Sequence, residues 1–157
     1  MQPLVRVATA EDVSALVALR AEMFRSMGSD PDVDPDWEQG ATRWFADRID
    51  DPRFRFAVVE VAGRVVSCAI GFRRDTPPSP GNPTGGDVHV NNVSTTAQER
   101  GKGYASLALA DIMAWARAHG VRRAELMATT EGRALYEREG FSVHDYPAMR
   151  ARLQDFP

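Results

Sequence analysis

Residues 88–120 read as a strand, a glycine-punctuated loop and a helix in direct succession, and no other stretch limits the fold as strongly. "VHVNNVST" (88–95) is rich in β-branched residues and reads as a strand. "QERGKGYA" (98–105) follows, with Gly101 and Gly103 on either side of Lys102, the chain's single lysine. "YASLALADIMAWARAHG" then reads as a helix that ends at Gly120, a residue suited to the position just past a helix. A strand, a glycine loop and a helix N-terminus in this order form an anion site, because successive backbone N–H groups and the positive end of the helix dipole converge. Gly101 and Gly103 carry no Cβ and let the backbone approach a bulky phosphate, while Arg100 and Lys102 add charge. A dinucleotide fingerprint would need a third glycine or alanine where Ser106 stands, and a Walker loop would need Ser or Thr where Gly103 stands. An ordinary strand-to-helix turn carries the same glycines, so spacing alone leaves both readings open.

The rest of the chain alternates between the two periods. "LVRVA" (4–8) reads as a first strand. A helix follows, with Thr9 at its N-cap, Val13, Leu16, Val17 and Met23 on one face, and Gly28 as its stop. "WEQGATRWFADRI" (37–49) reads as a second helix despite Gly40. "RFRFAVVEVAGRVVSCAIGFRR" predicts two strands around a tight turn at Ala62-Gly63, and the Pro/Gly-rich 75–87 predicts a long loop. Residues 122–128 predict a strand, "TTEGRALYEREG" a short helix stopped by Gly140, and "FSVHDYPAMRARL" one or two final strands. The expected fold is mixed α/β, with helices on the faces of a mixed sheet.

Composition removes several function classes. The 157 residues carry a net charge of −3, against the dense positive charge that nucleic-acid binding needs. No stretch is long and apolar enough for a membrane span, and "MQPLVRVATAEDV" lacks a signal-peptide layout, so a cytoplasmic location is expected. Cys68 is the only cysteine and lies in an apolar run, which reads as a buried structural thiol. The three histidines are scattered, so no metal site is expected.

From Asn92 onward, "NVSTTAQERGKGYASLALADIMAWARAHG" resembles the acetyl-CoA-binding motif of the GNAT N-acetyltransferase superfamily, whose Gln/Arg-x-x-Gly-x-Gly/Ala signature is met by Gln98, Gly101 and Gly103. "LMATTEGRALYEREGF" resembles the family's second motif, with Leu135-Tyr136 ahead of Gly140-Phe141, and "VRVATAEDVSALVALR" resembles its usual opening. The resemblance spans nearly the whole chain in family order. It implies one N-acetyltransferase domain over residues 1–157. The implied sheet is mixed, mostly antiparallel, six- to seven-stranded and splayed in the middle, with about four helices.

By the same resemblance, the amides of Arg100, Gly101, Lys102, Gly103, Tyr104 and Ala105 hold the pyrophosphate of acetyl-CoA. Val93 and Thr95 contact pantetheine, the Val93 N–H serves as the oxyanion contact, and Tyr136 is the general acid for the departing thiolate. The strand itself hints at irregularity: Val88 and Val90 alternate, but the next apolar residue is Val93. A bulge does this, and so does a strand that ends at Asn91. No general base stands out. Asp87, His89, Asn91 and Asn92 lie on or beside this strand and Glu125 on the next, and ordered water with help from Asn91 or Asn92 is an equal alternative.

The acceptor is expected to be a small-molecule or peptide amine. The acidic run "SDPDVDPDWE", with Asp32 and Asp34 at its centre, reads either as a rim that attracts a cationic amine or as a solvated loop. Pro35, where a calcium loop needs glycine, excludes that ion. The predicted last strands leave an edge for a homodimer. The expected activity is direct acetyl transfer to a primary amine; a non-catalytic acyl-CoA-binding module is the alternative.

Overall fold

The computed structural model describes all 157 residues, which fall into two compact units, Met1–Leu126 and Met127–Pro157. The first unit holds a five-stranded sheet in the order β1 (Leu4–Val7), β2 (Phe54–Val61), β3 (Arg64–Arg74), β4 (Asp87–Thr95), β5 (Ala124–Glu125). Pairing is antiparallel from β1 to β4 and parallel between β4 and β5. Its helices are α1 (Val13–Ser26), α2 (Asp36–Arg48) and α3 (Tyr104–Ala118).

The middles of β2 (56–59) and β3 (66–71) are buried on both faces, which is why apolar residues there run on rather than alternate, with Ser67 the one polar exception. Phe56, Val58, Cys68 and Ile70 point to one face and pack with Leu16, Leu19 and Phe45 of α1 and α2. The opposite face receives α3 through Leu109 and Ile112, both fully buried. That helix lies close: a Cβ on Gly71 would sit 2.7 Å from Ile112 Cγ2, so only glycine fits. Arg55 clamps α3 to β2 through a two-pronged pair with Asp111 at 2.7 and 3.0 Å.

The entry to α1 rests on an ionic cap. Asp12 is buried, accepts from Arg6 at 2.7 and 2.9 Å, and accepts the Thr9 N–H at 2.7 Å. The Arg6 guanidinium holds the Asp12 carboxyl below its usual range. A depressed carboxylate contributes stability above its unfolded pKa that is lost as pH falls through the folded one. Asp12→Ala is therefore expected to lower stability by about 2 kcal/mol at pH 7, and by much less at acid pH, in paired denaturant titrations. An equal loss at both pH values would mean that packing, not charge, is what Asp12 supplies.

The second unit holds α4 (Arg133–Arg138) and a 3-10 turn at Leu153–Asp155. Here the sequence expectation needs correction. The predicted strand at 122–128 shrinks to Ala124–Glu125, the predicted helix at 129–140 shrinks to α4, and no strand forms in 141–153. The sheet thus has five strands, not six or seven. The physical reason is pairing: β propensity makes a strand only where a neighbouring strand takes up its backbone groups, and 141–153 has none. The mixed α/β class with four helices stands.

Candidate active site

β4 bends where the apolar alternation slipped. Cys68 of β3 faces Ser94 and Ile70 faces Asn91, so Asn92 and Val93 together oppose the single residue Ala69. This is a β-bulge, and it closes the question of whether the strand ended at Asn91. Asn92 takes the left-handed conformation, φ 51°, which asparagine tolerates better than other residues that carry a Cβ. Its buried side chain is fully used: Oδ1 accepts from Arg20 Nη1 at 3.2 Å, and Nδ2 approaches Cys68 Sγ at 3.5 Å. The Cys68 thiol donates to the Asn92 carbonyl at 3.2 Å. Burial pushes that thiol up to about 12, so Cys68 is a structural partner of the bulge and no nucleophile.

Beyond the bulge the sheet is open. β5 pairs β4 only at Val88 and His89, leaving Val90 to Thr95 without a strand on that side. Thr96 N–H donates to Val66 O on β3, and alternation then turns the Thr95 and Val93 amides away from β3. The open edge thus presents backbone groups where the resemblance implied pantetheine and oxyanion contacts.

The loop after β4 presents more donors. Gly101 and Gly103 have φ of 76° and 81°, and a Cβ on either would meet nothing within 4 Å. The space beside both is open, and the backbone conformation favours glycine. No acceptor in the chain takes the N–H groups of Gly101 through Ser106, and α3 has no side-chain cap. These amides and the positive end of a 15-residue helix face one place, an arrangement that fits a pyrophosphate. The nearby charges turn inward: Lys102 Nζ pairs with Glu99 at 2.7 Å, and Arg100 pairs with Glu22 at 2.8 Å and reaches Thr95 O at 3.3 Å. Backbone, rather than these side chains, is what the loop offers. Gln98 is exposed in a 3-10 turn, and Tyr104 is half-buried as the first residue of α3.

A cavity of about 460 Å³ lies among α1, α2, β3 and β4. Trp37, Gly40, Ala41 and Trp44 of α2 form one wall, with Phe45 and Ile70 beneath. Arg20 and Asn91 are its polar members. Asn91 is exposed beside the bulge, so the cavity reaches the same segment of β4 as the open edge. The structure does not bring Asp32 and Asp34 into this lining; both stay exposed, and Asp32 lies 3.8 Å from Arg25. His89 is half-buried outside the cavity, and desolvation, aided by Arg74, keeps its imidazole below its usual pKa and hence neutral at pH 7.

The sequence reading missed the cavity wall. The signal was present: Trp37, Gly40, Ala41 and Trp44 recur at i, i+3, i+4 and i+7, a single helix face that mixes very large and very small residues. Arg20 gave a second signal, since it interrupts the apolar stripe of Leu16 and Val17.

In the second unit, Tyr136 of α4 is half-buried, with its ring edge-on to Phe141 at 6.0 Å. A Cβ on Gly132 would sit 3.1 Å from that ring, so the glycine makes room for it. Burial raises the phenol above its ordinary value and keeps it protonated well past neutrality.

Known proteins agree with this geometry. A family model described as "Acetyltransferase (GNAT) family" matches residues 14–141. Among solved structures, a predicted acetyltransferase from Clostridium acetobutylicum, crystallised with acetyl-CoA, is 25% identical; the match covers 98% of each chain with a TM-score of 0.85. A GCN5-related N-acetyltransferase from Ralstonia eutropha is 22% identical over 96% of this chain and 99% of its own, with a TM-score of 0.85. Glucosamine-6-phosphate N-acetyltransferase from Arabidopsis thaliana shares the fold at 15% identity and a TM-score of 0.74, over 96% and 99% of the two chains. No curated protein gives a significant sequence match. With the family model spanning most of the chain, and with a bulged β4, an open strand edge and a donor-lined glycine loop in one unit, the chain belongs to the acetyltransferase (GNAT) family, enzymes that draw the acetyl group from acetyl-CoA.

Proposed function

We propose that the chain transfers the acetyl group of acetyl-CoA directly to a primary amine, and that residues 1–157 serve as one such catalytic domain in the cytoplasm. The observation that carries this reading is the shared position of the open β4 edge and the cavity. Asn91, which lines the cavity, adjoins the Asn92–Val93 bulge, and the open edge runs past the same bulge from Val90 to Thr95. A lone reduced thiol, Cys68, suits a reducing compartment.

Acetyl-CoA, when bound, supplies a thioester whose C–S bond is exchanged for a C–N bond, the amine losing one proton and the sulfur gaining one. The amides of Arg100 to Ala105 hold its pyrophosphate, with Gln98 at the mouth of the loop. Val93 and Thr95 pair with its pantetheine arm. The Val93 N–H donates to the carbonyl oxygen as that oxygen gains charge. Tyr136 donates the proton to the departing sulfur. Asn91 is the polar group of β4 that lines the cavity and orients the amine, and neutral His89 lies two residues earlier on the same strand, outside the cavity. Asn92 acts through the bulge it stabilises. Alignment of the two reactants supplies the rest of the rate.

The test follows free thiol in mixtures of acetyl-CoA with polyamines, amino acids, aminoglycosides and peptide N-termini. At least one class is expected to release CoA thiol well above the amine-free rate. Binding of acetyl-CoA without thiol release from any amine would instead establish a non-catalytic acyl-CoA-binding module.

A further inference from the structure

The cavity among α1, α2, β3 and β4 has a composition that selects its occupant. Its largest surfaces are aromatic. Trp37 is fixed by its Nε1–H, which donates to Pro31 O at 2.7 Å, and by edge contact with Phe24 at 5.6 Å. Trp44 is fixed by edge contacts with Phe45 and Phe54, both at 5.4 Å. Between the two indoles, Gly40 leaves open space, since a Cβ there would meet nothing within 4 Å. A mid-helix glycine costs about 0.5–1 kcal/mol relative to alanine. Here it keeps a slot between two rigid aromatic walls.

The charge in the slot is positive. Arg20 is half-buried, packs over the Phe24 ring at 4.9 Å and has one hydrogen bond, to Asn92 Oδ1. No carboxylate lies within ion-pair distance of it. Arg6, Arg55 and Arg74 each pair with an aspartate at 2.7 Å, and those partners raise their pKa values; burial lowers that of Arg20. A half-buried guanidinium with unused donors is a ready partner for an anion. No acidic residue lines the cavity, so a second positive charge on the acceptor would find no counter-charge there.

We propose, resting on the acetyl-transfer reading above, that the acceptor is an α-amino acid with an apolar or aromatic side chain. Arg20 binds its carboxylate, and Trp37 and Trp44 enclose its side chain across Gly40. The spacing favours an α-amino acid over a longer amino acid. Arg20 touches Asn92, one residue from the Val93 amide, so a carboxylate held by Arg20 keeps the attached amine close to the bulge. A volume of about 460 Å³ falls within the range of small-molecule sites and accommodates a single amino acid.

The experiment uses the full chain with CoA present, so that acceptor binding is read without turnover. Calorimetry compares phenylalanine, leucine and tryptophan with the amines that lack only the carboxylate: phenethylamine, isopentylamine and tryptamine. At least one amino acid is expected to bind about 30-fold more tightly than its matched amine, as loss of a buried charge pair implies. Arg20→Met should erase that difference by weakening the amino acid alone. Gly40→Leu closes the slot without touching the bulge. It should abolish amino-acid binding, leave the thermal shift given by CoA unchanged, and raise the melting temperature of the free chain.

Matched amines that bind as well as or better than all three amino acids would overturn the proposal, as would amino-acid binding unaffected by Gly40→Leu. Spermidine bound more tightly than any of the six would do the same. The acetyl-transfer reading fails separately: an amino acid that binds as expected, yet yields no thiol with acetyl-CoA, leaves this assignment standing and removes catalysis.

Discussion

Gly103→Val is expected to remove the stabilisation that acetyl-CoA gives the parent chain. Acetyl-CoA at about one hundred times its dissociation constant should stabilise the parent by roughly 2.7 kcal/mol through linkage. For a chain of this size that is a melting shift on the order of 5–10 °C. The space beside Gly103 is open in the free protein, so valine creates no clash there until a ligand arrives. It does create strain, because φ is 81° and a β-branched residue resists the left-handed region at a cost of about 1–2 kcal/mol. Gly120 separates the two effects. It closes the other end of α3 with φ of 74° and open space around it, far from any free amide of the loop. Gly120→Val should lose similar intrinsic stability and keep the whole ligand shift. Equal ligand shifts in the parent and Gly103→Val would move the cofactor away from this loop.

The contrast between Gly103 and the C-terminal segment shows what a sequence can and cannot announce. Gly103 and Gly101 were legible because their requirement is local: a left-handed backbone before a helix asks for glycine whatever surrounds it. The continuous apolar runs of β2 and β3 were legible for a related reason, as strands buried on both faces need no alternation. The bulge at Asn92–Val93 was half-legible, since Val93 sits out of phase in the sequence but only the pairing with Ala69 tells a bulge from a strand end. Residues 141–153 were misread because "FSVHDYP" carries β-prone residues while the partner strand they need is a long-range property.

The cavity failed to announce itself for a different reason. Trp37 and Trp44 look like core residues on a helix face, and Arg20 looks like a surface charge, until all three face one space. The acidic run was conspicuous in sequence yet lies outside that space, with Asp30 and Asp34 accepting from the backbone of their own loop. Local composition drew attention to exposed charges, whereas the charge that lines the cavity, Arg20, is half-buried and has no ion-pair partner.

Tyr136→Phe is expected to lower kcat about 100-fold while leaving acetyl-CoA affinity and thermal stability close to parental values. The ring is held by Phe141 and by the room that Gly132 leaves, and both contacts survive in phenylalanine. Only the hydroxyl is lost, and a positioned proton donor contributes about 10²–10⁴-fold when it acts in the slow step. The pH profile makes the assignment specific. At the acid end, the rate of both proteins should rise with pH as the acceptor amine loses its proton. At the alkaline end, the parent should lose activity as Tyr136 ionises, and burial places that loss above the ordinary phenol value near 10. Tyr136→Phe has no proton to lose, so its residual rate should stay flat across the same range. Measuring kcat for both proteins from neutral to strongly alkaline pH checks the magnitude and the shape together. A variant slower by 100-fold that keeps the parental alkaline limb would assign that limb to another group. A variant with the parental rate would return Tyr136 to packing against Phe141.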